Sequence, residues 1–95
     1  MKQPNSDWFS PLDPAVITTE AVAQRRQPVT RIVHEDGHGG WQFYDDIEPL
    51  RGPVVLPKPD MLALDPSLAL VTDLPVGWEA TRETVSDPWV RSELP

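Results

Sequence analysis

Asp36-Gly37-His38-Gly39-Gly40-Trp41-Gln42-Phe43-Tyr44-Asp45-Asp46 is the stretch that decides the fold. Its three glycines in four positions accept positive φ at no steric cost and end whatever precedes them. The next four residues alternate, with Trp41 and Phe43 on one face and Gln42 and Tyr44 on the other, as on a half-buried pleated strand. Upstream, residues 29–35 alternate as well: Val29, Arg31, Val33 and Glu35 face one way, Thr30, Ile32 and His34 the other. Two such runs joined by a glycine-rich turn predict an antiparallel hairpin.

Working outward, Ala15-Val16-Ile17-Thr18 reads as a short strand, and Thr18 or Thr19 as the cap of a helix over 20–26. Glu20 sits at the positive end of that helix, Arg25 and Arg26 at its negative end, and Pro28 stops it. Pro53-Val54-Val55-Leu56 is a strand confined to an edge or an end by prolines 53, 57 and 59. Asp60 is expected to cap a single turn through Leu64. Asp65-Pro66-Ser67 then opens a helix over 66–73, with Leu68, Val71 and Leu70 on its buried face. Pro75-Val76-Gly77 ends it. Residues 78–83 alternate as a strand, Trp78 and Ala80 inward, Glu79, Thr81 and Glu83 outward.

The expected fold class is therefore α+β: a small antiparallel sheet of 29–35, 41–45 and 77–83, with one or two short helices packed on one face. The domain spans 15–84, after an irregular arm over 1–14 and before a tail over 85–95. One of Trp8 and Trp89, which lie in those polar ends, is expected to pack on the body and the other to stay part-exposed as an interface anchor.

Composition narrows the function classes. The chain has 95 residues, enough for one domain with a modest core. Its twelve prolines, against an average usage of ~5%, keep elements short. The absence of cysteine excludes a disulfide framework, a thiolate zinc site and a cysteine nucleophile, and favours a cytoplasmic setting. Met1 to Asp7 holds no apolar run, so no cleaved secretory signal is expected, and no apolar run nears the ~20 residues that span a bilayer. Net charge is −7, which disfavours nucleic acid and anionic membrane as partners and leaves a basic protein or a cation.

Catalytic constellations are weak. His34, Glu35, Asp36 and His38 look like a metal cluster, and a small metal-dependent hydrolase built on them is the alternative reading. On a regular strand, however, His34 and Glu35 face opposite ways, and a third ligand is missing. Asp45, Asp46 and Glu48 follow a strand into a loop, where solvent keeps carboxylates ionised rather than splitting their pKa values. Ser67 has neither a nucleophile elbow nor a partnered histidine. The glycine run lacks the Lys-Ser/Thr and the helix of a phosphate cradle. No catalytic residue, cofactor or metal is expected.

The succession Gly40-Trp41-Gln42-Phe43 followed by acids, Asp65-Pro66-Ser67-Leu68, and Leu74-Pro75-Val76-Gly77 before a Trp/Glu strand resembles a family of small bacterial domains. That family was first catalogued as of unknown function and then classed, largely from gene neighbourhood, among the immunity proteins of polymorphic toxin systems. The resemblance covers residues 15–83. It departs at His38-Gly39 and at Arg31-Ile32-Val33-His34, where the family tends to carry an acidic-serine lead-in and a basic-aromatic stretch. It implies an α+β domain that neutralises a cognate toxin by binding, and it brings no catalytic residues.

One charge feature gives that reading a surface. From Ile32 to Leu50 there are five acids (Glu35, Asp36, Asp45, Asp46, Glu48) and no Lys or Arg. A hairpin is expected to gather them into one patch that steers a basic protein partner. The expected partner-binding residues are Glu35, Asp36, His38, Tyr44, Asp45, Asp46 and Glu48. A structural accessory domain is the remaining alternative.

Overall fold

The computed structural model describes residues 15–35, 40–46 and 53–95. The predicted arm over 1–14 lies outside them. Six short strands form one sheet: β1 (Ala15–Thr18), β2 (Arg31–His34), β3 (Trp41–Tyr44), β4 (Val54–Pro57), β5 (Trp78–Thr81) and β6 (Val90–Glu93), in the order β4-β1-β3-β2-β5-β6. Helices α1 (Glu20–Ala23) and α2 (Lys58–Leu64) and a 3-10 helix (Pro66–Val71) complete the α+β fold.

The predicted hairpin is present, with Ile32 opposite Phe43 and His34 opposite Trp41. Its turn closes through the Glu35 amide, which donates to the Gly40 carbonyl at 2.8 Å. Gly40 sits at φ +32°, which an L side chain rarely adopts. The three strands expected to pair antiparallel do so, with β2 between β3 and β5, but the sheet extends beyond them. β1 lies parallel to β3, pairing Ile17 with Gln42 and Thr18 with Phe43, so the sheet is mixed. Apolar patterning marks which segments are strands but not which non-consecutive strands pair. β4 is an edge strand, as its prolines require. The segment read as a tail holds the opposite edge: β6 pairs antiparallel with β5, Trp78 opposite Glu93 and Thr81 opposite Val90.

The registers define the two faces. Val16, Thr18, Ile32, His34, Trp41, Phe43 and Ala80 share one face and are all buried. The same core takes in Val22 of α1, Met61 of α2, Leu68 and Val71 of the 3-10 helix, and Leu74, so the helices cover this face. His34 is fully buried there. Its Nδ1 lies 2.6 Å from the Leu74 carbonyl and its ring stacks on Trp41 at 3.9 Å. Glu35, its neighbour, is exposed. The opposite face carries Arg31, Gln42, Tyr44 and Glu79, with Val33 buried among them at 3% exposure.

Helix ends also differ from the reading. Thr19 is the cap of α1: its hydroxyl accepts from the Val22 amide at 3.1 Å. The helix stops at Ala23 rather than 26. The Arg25 amide donates to the Val22 carbonyl and the Arg26 amide to the Ala21 carbonyl, at 3.0 and 2.8 Å. That is a Schellman termination, and Arg25 occupies its left-handed position at φ +61°. Glycine adopts that conformation freely, whereas it costs another residue about 1–2 kcal/mol. Helix α2 is longer than the single turn expected, and Pro57 rather than Asp60 stands at its cap. Asp65 does open the next helix, accepting from the Ser67 amide at 3.0 Å, but that helix is 3-10 and ends at Val71.

Candidate functional site

The expected acidic patch resolves into two separated ends. In an antiparallel hairpin the turn joins the end of the first strand to the start of the second. Glu35 therefore stands at the turn, and Asp45 and Asp46 stand at the open end beside Thr30. Five residues at ~3.4 Å each separate Gly40, opposite Glu35, from Asp45, or about 17 Å. The premise that the hairpin gathers all these acids is corrected accordingly. Asp36, His38 and Glu48 lie outside the described residues.

From the turn end toward the open end, Glu35 accepts from the Gln42 side-chain amide at 3.0 Å, and the Tyr44 hydroxyl donates to Gln42 Oε1 at 2.5 Å. Arg31 lies over the Tyr44 ring at 5.4 Å and donates to Glu79 at 2.9 Å. These side chains satisfy one another across the open face of the sheet. Burial raises the Tyr44 phenol above its ordinary value; the Arg31 charge draws it down and the Glu35 charge pushes it up. A raised phenol pKa means that the folded state holds the proton more tightly than the unfolded chain does. Its contribution to stability is complete below the ordinary phenol value of ~10 and is lost as pH rises through the higher folded one. Arg31→Ala is expected to raise the Tyr44 pKa further. Tyr44 is the chain's one tyrosine, so an absorbance titration of phenolate reads it directly. A downward or absent shift would show that Arg31 exerts no field at the phenol.

At the open end, Asp45 is a structural residue, 8% exposed. It accepts from the Thr19 hydroxyl at 2.9 Å while that hydroxyl caps α1. Asp45 thus orients the cap and is not free to meet a partner. Asp46 is exposed and accepts from the Thr30 hydroxyl at 2.6 Å.

Thr30 carries the sheet on to a region outside the predicted site. The Arg82 amide donates to the Thr30 carbonyl at 3.0 Å, which sets the end of β5 beside the open end of the hairpin. The Arg82 side chain turns inward, 2% exposed, and uses its whole fork. Nε donates to the Val29 carbonyl at 3.0 Å, one terminal nitrogen to Ser67 Oγ at 3.0 Å, and the other to Asp65 Oδ2 at 2.6 Å. Trp89 lies over the guanidinium at 4.1 Å, so it is the anchor of the C-terminal segment. Its buried indole Nε1 has no hydrogen-bond partner among the described residues. Ser67, expected to be structural, bridges this cluster by donating to Asp65 Oδ1 at 2.7 Å.

Two shallow grooves flank the Asp87-Pro88 ridge that follows. One, of about 350 Å³, is walled by Leu70, Val85 and Trp89; the other, of about 540 Å³, by Thr81, Glu83 and Val90. Leu70, expected on the buried face of its helix with Leu68 and Val71, is instead 72% exposed, and Val85 and Val90 are each 61% exposed. Arg82 and Arg91 are neutralised by Asp65 and by Asp73, the latter pair at 2.6 Å. No base among the described residues pairs with Glu83, or with Asp87, whose carboxylate caps the Thr84 amide at 3.0 Å. Asp46, two strand spacings from Glu83, or about 10 Å, extends the same acidic rim. This surface was hidden in sequence because its parts lie in three segments. The one signal was alternation, which sets Arg82 on the inward side with Trp78 and Ala80.

Among the described residues no three His, Asp or Glu side chains converge on a site for a metal ion. No helix among them is long and apolar enough to cross a membrane. Comparisons with family models, with curated proteins and with solved structures found no match to this chain.

Proposed function

We propose that this domain is a non-catalytic protein-binding module whose partner is a basic protein that presents an aliphatic side chain. The observation that carries the reading is the acid-rimmed apolar surface around Asp87-Pro88. Leu70 and Val85 stand exposed on one side of that ridge and Val90 on the other, beside the carboxylates of Glu83 and Asp87, which no base among the described residues neutralises. Exposed apolar side chains grouped within a polar rim are what a recognition surface requires, and a single exposed valine would not be. With a net charge of −7, the chain attracts a cationic partner at long range. The sequence resemblance gives the reading a physiological form: an immunity protein that occludes the cationic active site of a toxin, acting in the cytoplasm. Relative to the hairpin patch, this surface retains Asp46, sets aside the buried Asp45, and adds Glu83, Asp87 and Val90.

The test is affinity capture with the wild-type chain and with Glu83→Lys/Val90→Thr as baits, followed by association kinetics with the purified partner. Both substituted side chains are exposed, so folding is expected to change by no more than about 0.5 kcal/mol. Wild type is expected to capture a basic protein that the double variant does not. Its on-rate is expected to fall steeply as salt passes ~0.15 M, where the Debye length is ~8 Å. Equal capture by both baits, with an on-rate indifferent to salt, would contradict the proposal.

A further inference from the structure

A second feature shares only Val85 with that surface and does not depend on the protein-binding reading. In this acidic chain the described arginines divide sharply. Arg31, Arg82 and Arg91 each contact a carboxylate, whereas Arg25 and Arg26 contact none among the described residues. Both unpaired arginines border the same hollow, of about 330 Å³, at the low end of the range for small-molecule sites. Gln27 stands beside them, and Val22, Leu64 and Val85 supply apolar walls. Among the described residues Arg26 uses only its Nε, donating to Gln24 at 3.1 Å, which leaves its terminal nitrogens open to them. Asp65 also borders the hollow, but its charge is taken by Arg82 at 2.6 Å.

The backbone gives an independent reason to ask what Arg25 does. It occupies the left-handed position of the α1 termination, where glycine would be without strain. Strain held at a position that a smaller residue would relieve is a pointer to a role for the side chain. Guanidinium groups bind oxyanions through paired N–H donors, and apolar walls beside them select an organic body over a bare ion. We propose that this hollow binds a small organic oxyanion, a carboxylate or a phosphate carried on an apolar group, with Arg25 and Arg26 as its anion clamp.

The proposal is tested by NMR titration of the full chain with benzoate, phenyl phosphate and inorganic phosphate, read at backbone amides. Saturable shifts are expected at Val22, Gln27, Leu64 and Val85 with the two aromatic anions, at dissociation constants of about 1 mM, and weaker binding of inorganic phosphate. Arg25→Gly retains the backbone conformation and removes the guanidinium. It is expected to raise the thermal midpoint and to weaken binding at least about tenfold, and Arg26→Gln to weaken it comparably without the thermal gain. Benzoate binding with phenyl phosphate inert, or the reverse, would identify which oxyanion the clamp takes and uphold the site. Shifts that do not saturate, inorganic phosphate binding as tightly as the aromatic anions, or unchanged affinity in both variants would overturn it.

Discussion

Arg82→Met is expected to cost about 3–5 kcal/mol of folding free energy. A domain of this size is typically stable by only ~5–14 kcal/mol, so the change removes a large share of the total. The reason is the number of groups that lose their partner together. Asp65 is left with a side chain only 20% exposed and an uncompensated charge. The Val29 carbonyl and Ser67 hydroxyl lose donors at 3.0 Å each, and Trp89 loses the cation beneath its ring. Methionine fills much of the volume, which isolates the polar loss from a cavity. Arg82→Lys is expected to recover little, since an ammonium cannot reach three acceptors set in a planar fork. In Arg82→Met/Asp65→Leu the loss should be smaller than the sum of the two single changes, because no buried charge remains alone. Denaturant unfolding measures the four variants against wild type. A loss under about 1 kcal/mol for Arg82→Met would show that the fork is a surface pair of the ordinary kind.

Trp41→Ala is expected to cost about 3–5 kcal/mol by a different mechanism, the emptying of a packed core position. Trp41 is 1% exposed, stacked on His34 at 3.9 Å and 6.3 Å from the centre of the Phe43 ring. Its removal opens a void between the sheet and the helix layer and frees the His34 ring that seats against the Leu74 carbonyl. Trp41→Phe retains an aromatic surface for His34 and is expected to lose about half as much or less. The near-ultraviolet circular dichroism of the folded variants reports whether the stack persists. Equal stability of Trp41→Ala and wild type would mean that the strand assigned to 41–44 does not face the core.

The two cases differ in how far sequence exposes them. Trp41 and Phe43 lie in an alternating run after glycines, so periodicity alone sets them on a buried face. Asp65 is legible as a cap because Pro66 follows it, whereas sequence narrows the cap of α1 only to Thr18 or Thr19, and the structure selects Thr19. Arg82 is a different matter. Its parity in the strand points inward, but a charged side chain is ordinarily solvated, and only the spatial meeting of residues 29, 65, 67 and 89 makes its burial favourable. β6 escapes notice because Val90-Arg91-Ser92-Glu93 offers one apolar residue and no apolar alternation. Its strand character comes from pairing with β5. Parallel pairing of β1 with β3 escapes for a related reason: both strands show their pattern, but nothing local encodes which neighbour each will find. The acidic patch failed on geometry. Counting charges along a hairpin ignores that the turn and the open end lie a strand length apart. The surface that replaces it joins Asp46 to Glu83 and Asp87 through strand order.

The measurement that bears most directly on a binding role for this domain is amide hydrogen exchange of the chain, free and in complex with the partner it captures. Binding through the acid-rimmed apolar surface predicts new protection at residues 81–91 and 45–46, with exchange unchanged in β4 and at Glu35. Protection confined to β4 or to the turn end of the hairpin, with residues 81–91 exchanging as in the free chain, would contradict it.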